Sequence, residues 1–139
     1  DPRVRVVHRL GRRGLPSACI EGVMATSAPF VAVMDADLQH DEALLPRMLG
    51  NLKHGSVDLV IGSRYVAGGG VGAWDEARQA KSRLATRLAH KVLPSPVADP
   101  MSGFFMARRE VFEQRAPKLS AVGFKILLDL LTADPAPLR

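Results

Sequence analysis

The stretch Phe30-Val-Ala-Val-Met-Asp-Ala-Asp-Leu-Gln-His40, "FVAVMDADLQH", decides how this chain reads. Phe30 to Met34 is a continuous apolar run of strand length, the pattern of a strand buried on both faces of a parallel sheet. It runs straight into Asp35 and Asp37, spaced i, i+2, and then Gln39 and His40. Carboxylates at that spacing fall on one side of a chain that stays extended. They make an oxygen-rich, doubly negative site for a hard cation such as Mg²⁺ or Mn²⁺, which keeps some water and completes its shell with phosphate oxygens. Gln39 adds a carbonyl oxygen. A short acidic pair is common in solvated turns, but this one directly follows a buried strand, with Arg64 at the next strand end, and buried strands do not normally end in a charge cluster unless something binds there. His40 is a lone imidazole, a type more often structural than a ligand or base.

Outward from this stretch the chain alternates strand and helix. Val4 to Val7 reads as a short strand, Gly11 to Gly14 as a basic turn, and Leu15 to Thr26 as a helix with Ile20, Val23 and Met24 facing a sheet. Asp41 to Leu52 reads as a helix capped by Asp41, with Leu44, Leu45, Met48, Leu49 and Leu52 on one stripe. Asp58 to Ile61, "DLVI", is another strand, ending at Gly62-Ser63-Arg64-Tyr65. Short links between these elements imply parallel βαβ units with right-handed crossovers. Ligands in such sheets bind beyond the carboxyl ends of the strands, where Asp35, Asp37 and Arg64 fall.

Val66 to Trp74, "VAGGGVGAW", reads as a glycine-rich loop over that site, and Asp75 to Val92 as a helix carrying Arg78 and Ser82 four residues apart on one face. Arg64 and Arg78 are candidates to clamp phosphate, because guanidinium is a rigid fork of donors that keeps its charge. Either could instead be an ordinary surface arginine, a reading that is about even for Arg78 judged on spacing alone. Ser102 to Arg108, "SGFFMAR", reads as a strand leading into a short helix near Glu110 to Arg115, and Gly123 to Leu131 as an apolar helix. The tail "ADPAPLR" reads as disordered or severed.

At 139 residues, 47% hydrophobic and 24% charged, the chain has the make-up of one globular domain spanning 1–139. Cys19 is the single cysteine, which excludes an internal disulfide and fits a buried small hydrophobe in a reducing compartment. The formal charge is +5, with basic clusters at Arg3, Arg5, Arg9, Arg12 and Arg13 and along Arg78 to Lys91. That balance suits phosphate-bearing ligands, nucleic acid or an anionic membrane surface. With aromatics at only 5%, the interleaved basic and aromatic signature of nucleic-acid binding is lacking, so no nucleic-acid partner is expected. No apolar run reaches the roughly 18 residues of a membrane span, and the opening has no signal-peptide plan. The chain opens on Asp1-Pro2 and goes at once into a strand-like run, which reads as a fragment of a longer protein.

Four segments, "DADLQH" (35–40), "GSRYVAGGG" (62–70), "DPMSGFFMARREVF" (99–112) and "GFKILLDLL" (123–131), in that order and at these separations, resemble the polyprenol-phosphate (dolichol-phosphate) mannose synthases of the family 2 glycosyltransferases. The resemblance runs from about Val6 to Leu131, and the four segments together are specific to the polyprenyl-phosphate branch. It implies an α/β GT-A (Rossmann-like) fold, a mostly parallel sheet flanked by helices and incomplete in this stretch of chain. It implies that Asp35, Asp37 and Gln39 hold a Mg²⁺ or Mn²⁺ ion on the donor diphosphate, and that Arg64, Arg78 and Ser82 contact donor or acceptor phosphates, with Asp37 and Arg64 the catalytic pair. Asp99, Met101, Ser102 and Gly103 would line the sugar and acceptor region.

The family's first strand with its Pro-Thr/Ser-Tyr-Asn-Glu turn and its second with an acidic pair would lie before Asp1. Its Arg-x-x-Gly-x-Ser-Lys segment would lie after Arg139. The implied partners are GDP-mannose, a polyprenyl phosphate acceptor and the cytoplasmic face of a membrane. Two alternatives stay open beside this enzyme: transfer of another sugar to polyprenyl phosphate, and a non-catalytic nucleotide- or Mg²⁺-binding module. An Asp-x-Asp phosphotransferase with a nucleophilic first Asp is disfavoured, because that class follows the pair with a Thr/Val or Gly-rich turn rather than Leu-Gln-His.

Overall fold

The structure, a computed structural model, describes residues 1–11, 13–63, 93, 97–120, 125–134 and 136–139. Gly14 sits at φ 108°, a conformation open to glycine, and Pro16 follows in the first turn of helix α1 (Leu15–Met24). Strand β1 (Phe30–Met34) occupies the stretch expected of it. After a loop, Asp41 caps a 3₁₀ turn, Glu42–Leu44, its carboxylate accepting the Ala43 N–H at 3.0 Å. The turn leads into helix α2 (Leu45–His54), and strand β2 (Leu59–Ile61) comes next. Strand β3 (Phe104–Arg108) runs directly into helix α3 (Arg109–Arg115), and helix α4 (Ile126–Thr132) comes after it.

The described strands form one sheet in the order β1-β3-β2. β3 is antiparallel to both neighbours, with Phe30 opposite Arg108, Met34 opposite Phe104 and Ile61 opposite Phe105. The parallel contacts expected from the sequence are therefore corrected. β1 and β2 share a direction, as a βαβ crossover requires, but β3 is inserted between them and runs the other way. The reason lies at Ser102 and Gly103, which sit beside the carboxyl ends of β1 and β2, so a strand that starts there can only run back.

β3 is also the strand buried on both faces, a property the sequence assigned to β1. Phe104 to Ala107 are all buried, whereas β1, at the edge of the described sheet, buries only Val31 fully. Alternation along β3 divides the core. Phe105 and Ala107 pack with Val23 of α1, Val111 and Phe112 of α3 and Leu127 and Leu130 of α4. Phe104 and Met106 pack with Met48 and Leu52 of α2 on the opposite face. Each such fully buried side chain contributes roughly 1.5–3 kcal/mol of transfer free energy, so β3 is the anchor of both layers.

Buried and half-buried arginines tie the layers together. Arg108 donates to the Leu52 carbonyl at 2.7 Å, near the end of α2, and lies over the Phe30 ring. Arg115 is buried and donates to the carbonyls of Leu130 (2.9 Å) and Ala136 (2.5 Å). Arg9, one of the basic cluster, is engaged with α1: it donates to Glu21 at 3.0 Å and to Ser17 at 2.5 Å.

Two further expectations are corrected. Val4 to Val7 is not a strand, and Val6 is 89% exposed; among the described residues no strand lies beside it to complete a ladder. The tail is docked rather than loose. The Asp58 N–H donates to the Arg139 main-chain oxygen at 2.6 Å, the Arg139 N–H donates to the Asp58 carboxylate at 3.2 Å, and Leu138 packs on the core.

Candidate functional site

Asp35 is the first residue after β1, and the antiparallel register that ends at Met34 and Phe104 brings it beside Gly103. The approach is close. A Cβ placed on Gly103 would lie 2.0 Å from Asp35 Oδ2 and 2.6 Å from its carboxyl carbon. On its other side, Asp35 Oδ2 lies 3.9 Å from His40 Nε2. The His40 ring rests against the Phe104 ring, centroids 5.2 Å apart, so this imidazole packs on the core while facing the carboxylate.

Beyond Asp35 the chain bends at residues 36–38 rather than staying extended, which corrects the premise that carried Asp35 and Asp37 to one side. Leu38 takes φ 60°, an uncommon conformation for a leucine, and is 97% exposed. Asp37 Oδ1 accepts the Gln39 N–H at 3.1 Å, which closes the bend. Asp37 and Gln39 are exposed at the tip, and Asp35 is half-buried at its base.

Opposite this loop lies the segment Asp99 to Gly103. Asp99 is fully buried, and its carbonyl accepts the Ser102 N–H at 3.2 Å. The Ser102 hydroxyl is buried and fully used. It lies 2.9 Å from the Gly62 carbonyl and 3.2 Å from the Phe104 carbonyl, and it accepts the Phe104 N–H at 3.1 Å. Gly62 N–H in turn donates to the Phe104 carbonyl at 2.9 Å. Ser102 thus fastens the end of β2 to the start of β3. Gly62 must lack a side chain for this, since its Cβ would meet the Phe104 ring at 2.5 Å.

Asp35, Met101, Ser102 and Gly103 border a small recess of ≈ 20 Å³, about the size of one water, together with Lys125. Lys125 Nζ donates to the Met101 carbonyl at 3.3 Å. Sequence reasoning passed over this lysine as part of an apolar helical run. Its signal was a lone cation at the very start of that run, in the position that precedes α4. Beneath the site, burial first and the Asp35 charge second push the Cys19 thiol above its ordinary value, with Arg9 offsetting part of the rise.

The structure thus brings together Asp35, Met101, Ser102 and Gly103, with Asp99 buried behind them and Asp37 and Gln39 at the loop tip. Arg64, Arg78 and Ser82, the glycine-rich loop and the helix expected over 75–92 lie outside the described residues. Among the described residues no group of three or more His, Cys, Asp and Glu side chains is gathered as a metal cage. A Mg²⁺ or Mn²⁺ ion held by one or two carboxylates, with water and phosphate oxygens supplying the rest, does not need one. The all-oxygen donor set of Asp35, Asp37 and Gln39 fits such an ion, and the space kept clear at Gly103 lets the Asp35 carboxylate sit there.

Comparison with known proteins places the chain in a family. Residues 1–116 match the family described as Glycosyl transferase family 2. The chain is 42% identical over 92% of its length to a dolichol-phosphate mannosyltransferase of Pyrococcus furiosus, and 35% identical over 96% to one of Saccharomyces cerevisiae. It spans 36% and 49% of those relatives. Glucosyl-3-phosphoglycerate synthase of Mycobacterium tuberculosis, solved with Mn²⁺, UDP-glucose and phosphoglyceric acid, superposes with a TM-score of 0.56 at 27% identity, over 96% of this chain and 45% of that one. A second structure of that enzyme, with Mn²⁺, UDP and glucosyl-3-phosphoglycerate, gives 0.54 at 28% identity over 80% of this chain and 36% of that one. With its inserted antiparallel strand, its acidic loop at a strand end and this match, the chain belongs to the family 2 glycosyltransferases and has their α/β GT-A fold.

Proposed function

We propose that the protein transfers mannose from GDP-mannose to a polyprenyl (dolichyl) phosphate, with inversion at the sugar carbon and dependence on a divalent cation. The observation that carries this reading is the seating of Asp35 against Gly103, at the carboxyl end of β1, in a chain similar over nearly its whole length to dolichol-phosphate mannosyltransferases. Asp35, Asp37 and Gln39 would hold the cation, which when bound neutralises charge on the leaving nucleoside diphosphate.

The remaining chemistry asks for positioning. A phosphate monoester acceptor has a second pKa of about 6, so it reaches the site as a dianion and needs no strong general base. An acceptor oxygen attacks the anomeric carbon from the face opposite the diphosphate, the bond to the diphosphate breaks, and the configuration inverts. Asp99 and Met101 to Gly103 would border the sugar region, and Arg64, Arg78 and Ser82 would contact the donor or acceptor phosphates. Lys125, on the same recess as Asp35, adds a cation to that border. The formal charge of +5 supports docking at the anionic cytoplasmic face of a membrane, where the lipid acceptor resides.

Mn²⁺ and UDP-glucose in the synthase structures support the divalent cation and favour, as a second reading, a donor other than GDP-mannose. One experiment separates these. The protein is given labelled GDP-mannose, UDP-glucose or UDP-N-acetylglucosamine, with polyprenyl phosphate in neutral or anionic vesicles. Label entering lipid from GDP-mannose alone, faster on anionic vesicles, is the expected result. Transfer from another donor replaces the sugar, equal rates on both vesicles remove the membrane docking, and no transfer from any donor leaves a binding module.

A further inference from the structure

We infer that Gly103 is a positioning residue for the cation site: its missing side chain sets where the Asp35 carboxylate sits, and the Ser102 hydroxyl holds the Gly103 backbone in place. This rests on the reading of Asp35 as a cation ligand. The first observation is the clearance. Any Cβ at Gly103 would stand 2.0 Å from Asp35 Oδ2, well inside van der Waals contact, so one of the two must move.

Backbone conformation does not explain the glycine. The described glycines at positive φ are Gly11 and Gly14, so Gly103 holds a backbone that other residues also adopt, and space alone demands it. Nor is the Gly103 side of the contact free to yield. Ser102, immediately before it, is fastened to Gly62 and Phe104, and Phe104, immediately after it, is paired with Met34 and buried in the core. The Asp35 side chain is half-buried and lies beside a loop, and among the described residues its ion-pair approach is that of His40 at 3.9 Å. The carboxylate is therefore the part that moves.

A methyl group at Gly103 would displace a cation ligand while leaving the strands paired. The effect belongs with outer-shell partners of metal ligands, whose loss weakens metal binding by about 10- to 100-fold. In the Gly103→Ala variant, Mn²⁺ alone, followed by its paramagnetic resonance signal, should bind at least about 10-fold more weakly than in the wild type. Loss of fold is tested separately by thermal midpoints for wild type, Gly103→Ala, Asp35→Ala and the double variant. Whatever Gly103→Ala costs in midpoint should shrink once Asp35→Ala has vacated the space. Wild-type affinity for Mn²⁺ in Gly103→Ala, or midpoint losses that simply add, overturns the role of Gly103. Absence of Mn²⁺ binding in the wild type overturns the cation reading beneath it.

Discussion

Cys19 lies near enough to Asp35 to report on it. The thiolate is the reactive form of cysteine, and with the thiol pushed above its ordinary value by burial and then by Asp35, less thiolate exists at neutral pH than for a free cysteine. Alkylation of Cys19 by iodoacetamide should be slow at pH 7 and rise with pH along a curve displaced to the alkaline side. Asp35→Asn removes one contribution to that displacement, so the curve should move back toward neutral pH. A pH profile unchanged by Asp35→Asn would contradict the proximity of these two groups. Near the site, the junction of β1 with the acidic loop at Asp35 was legible because a strand running into acids is visible in one dimension. The demand on Gly103 was not, because it comes from a carboxylate far upstream that only the β1–β3 register brings alongside. Ser102 was legible as part of a distinctive segment, but its bonds to Gly62 and Phe104 were not.

Elements whose periodicity lies within one segment were read well. β1 runs from Phe30 to Met34 as expected, and Asp41 caps the helical segment after it. That segment opens with a 3₁₀ turn because Pro46, in the first turn of α2, has no N–H to give and favours an early helical position. Elements that depend on a distant partner were misread, and the tail is the clearest case. "ADPAPLR" has the composition of a loose end, yet Asp58 and Arg115 hold it by its main chain. Arg115 joins α3 to the last turn of α4 through Leu130 and to the tail through Ala136. Replacing it by methionine keeps most of the apolar volume but leaves two carbonyls without their donor. Arg115→Met should cost about 2–3 kcal/mol, read from the denaturant midpoint, the range for charge-assisted bonds lost from one buried and one part-buried carbonyl. A loss within a few tenths of the wild type would mean that the tail and α4 do not depend on this side chain.

At the scale of the molecule, an acidic loop and a serine-glycine segment meet at one end of a sheet whose middle strand runs against its neighbours. Sequence patterns gave the α/β character, but a buried apolar run looks the same in a parallel or an antiparallel ladder. The direction of β3 is set by where the chain re-enters the sheet, beside Asp35 and Gly62, and no local pattern encodes that point. The same return brings Met101 to Gly103 up to the acidic loop, so the antiparallel strand and the site share one cause. The central claim is that this site drives cation-dependent transfer of a sugar to a lipid phosphate. The most direct measurement incubates the protein with polyprenyl phosphate and labelled GDP-mannose, in Mn²⁺ or in EDTA, beside an Asp37→Ala variant whose folding is checked by its thermal midpoint. Label should enter the lipid only with the cation and with Asp37 present, the variant falling by about 100-fold or more, as when a group stabilising transition-state charge is removed. Transfer that continues in EDTA, or at the wild-type rate without Asp37, would contradict the account.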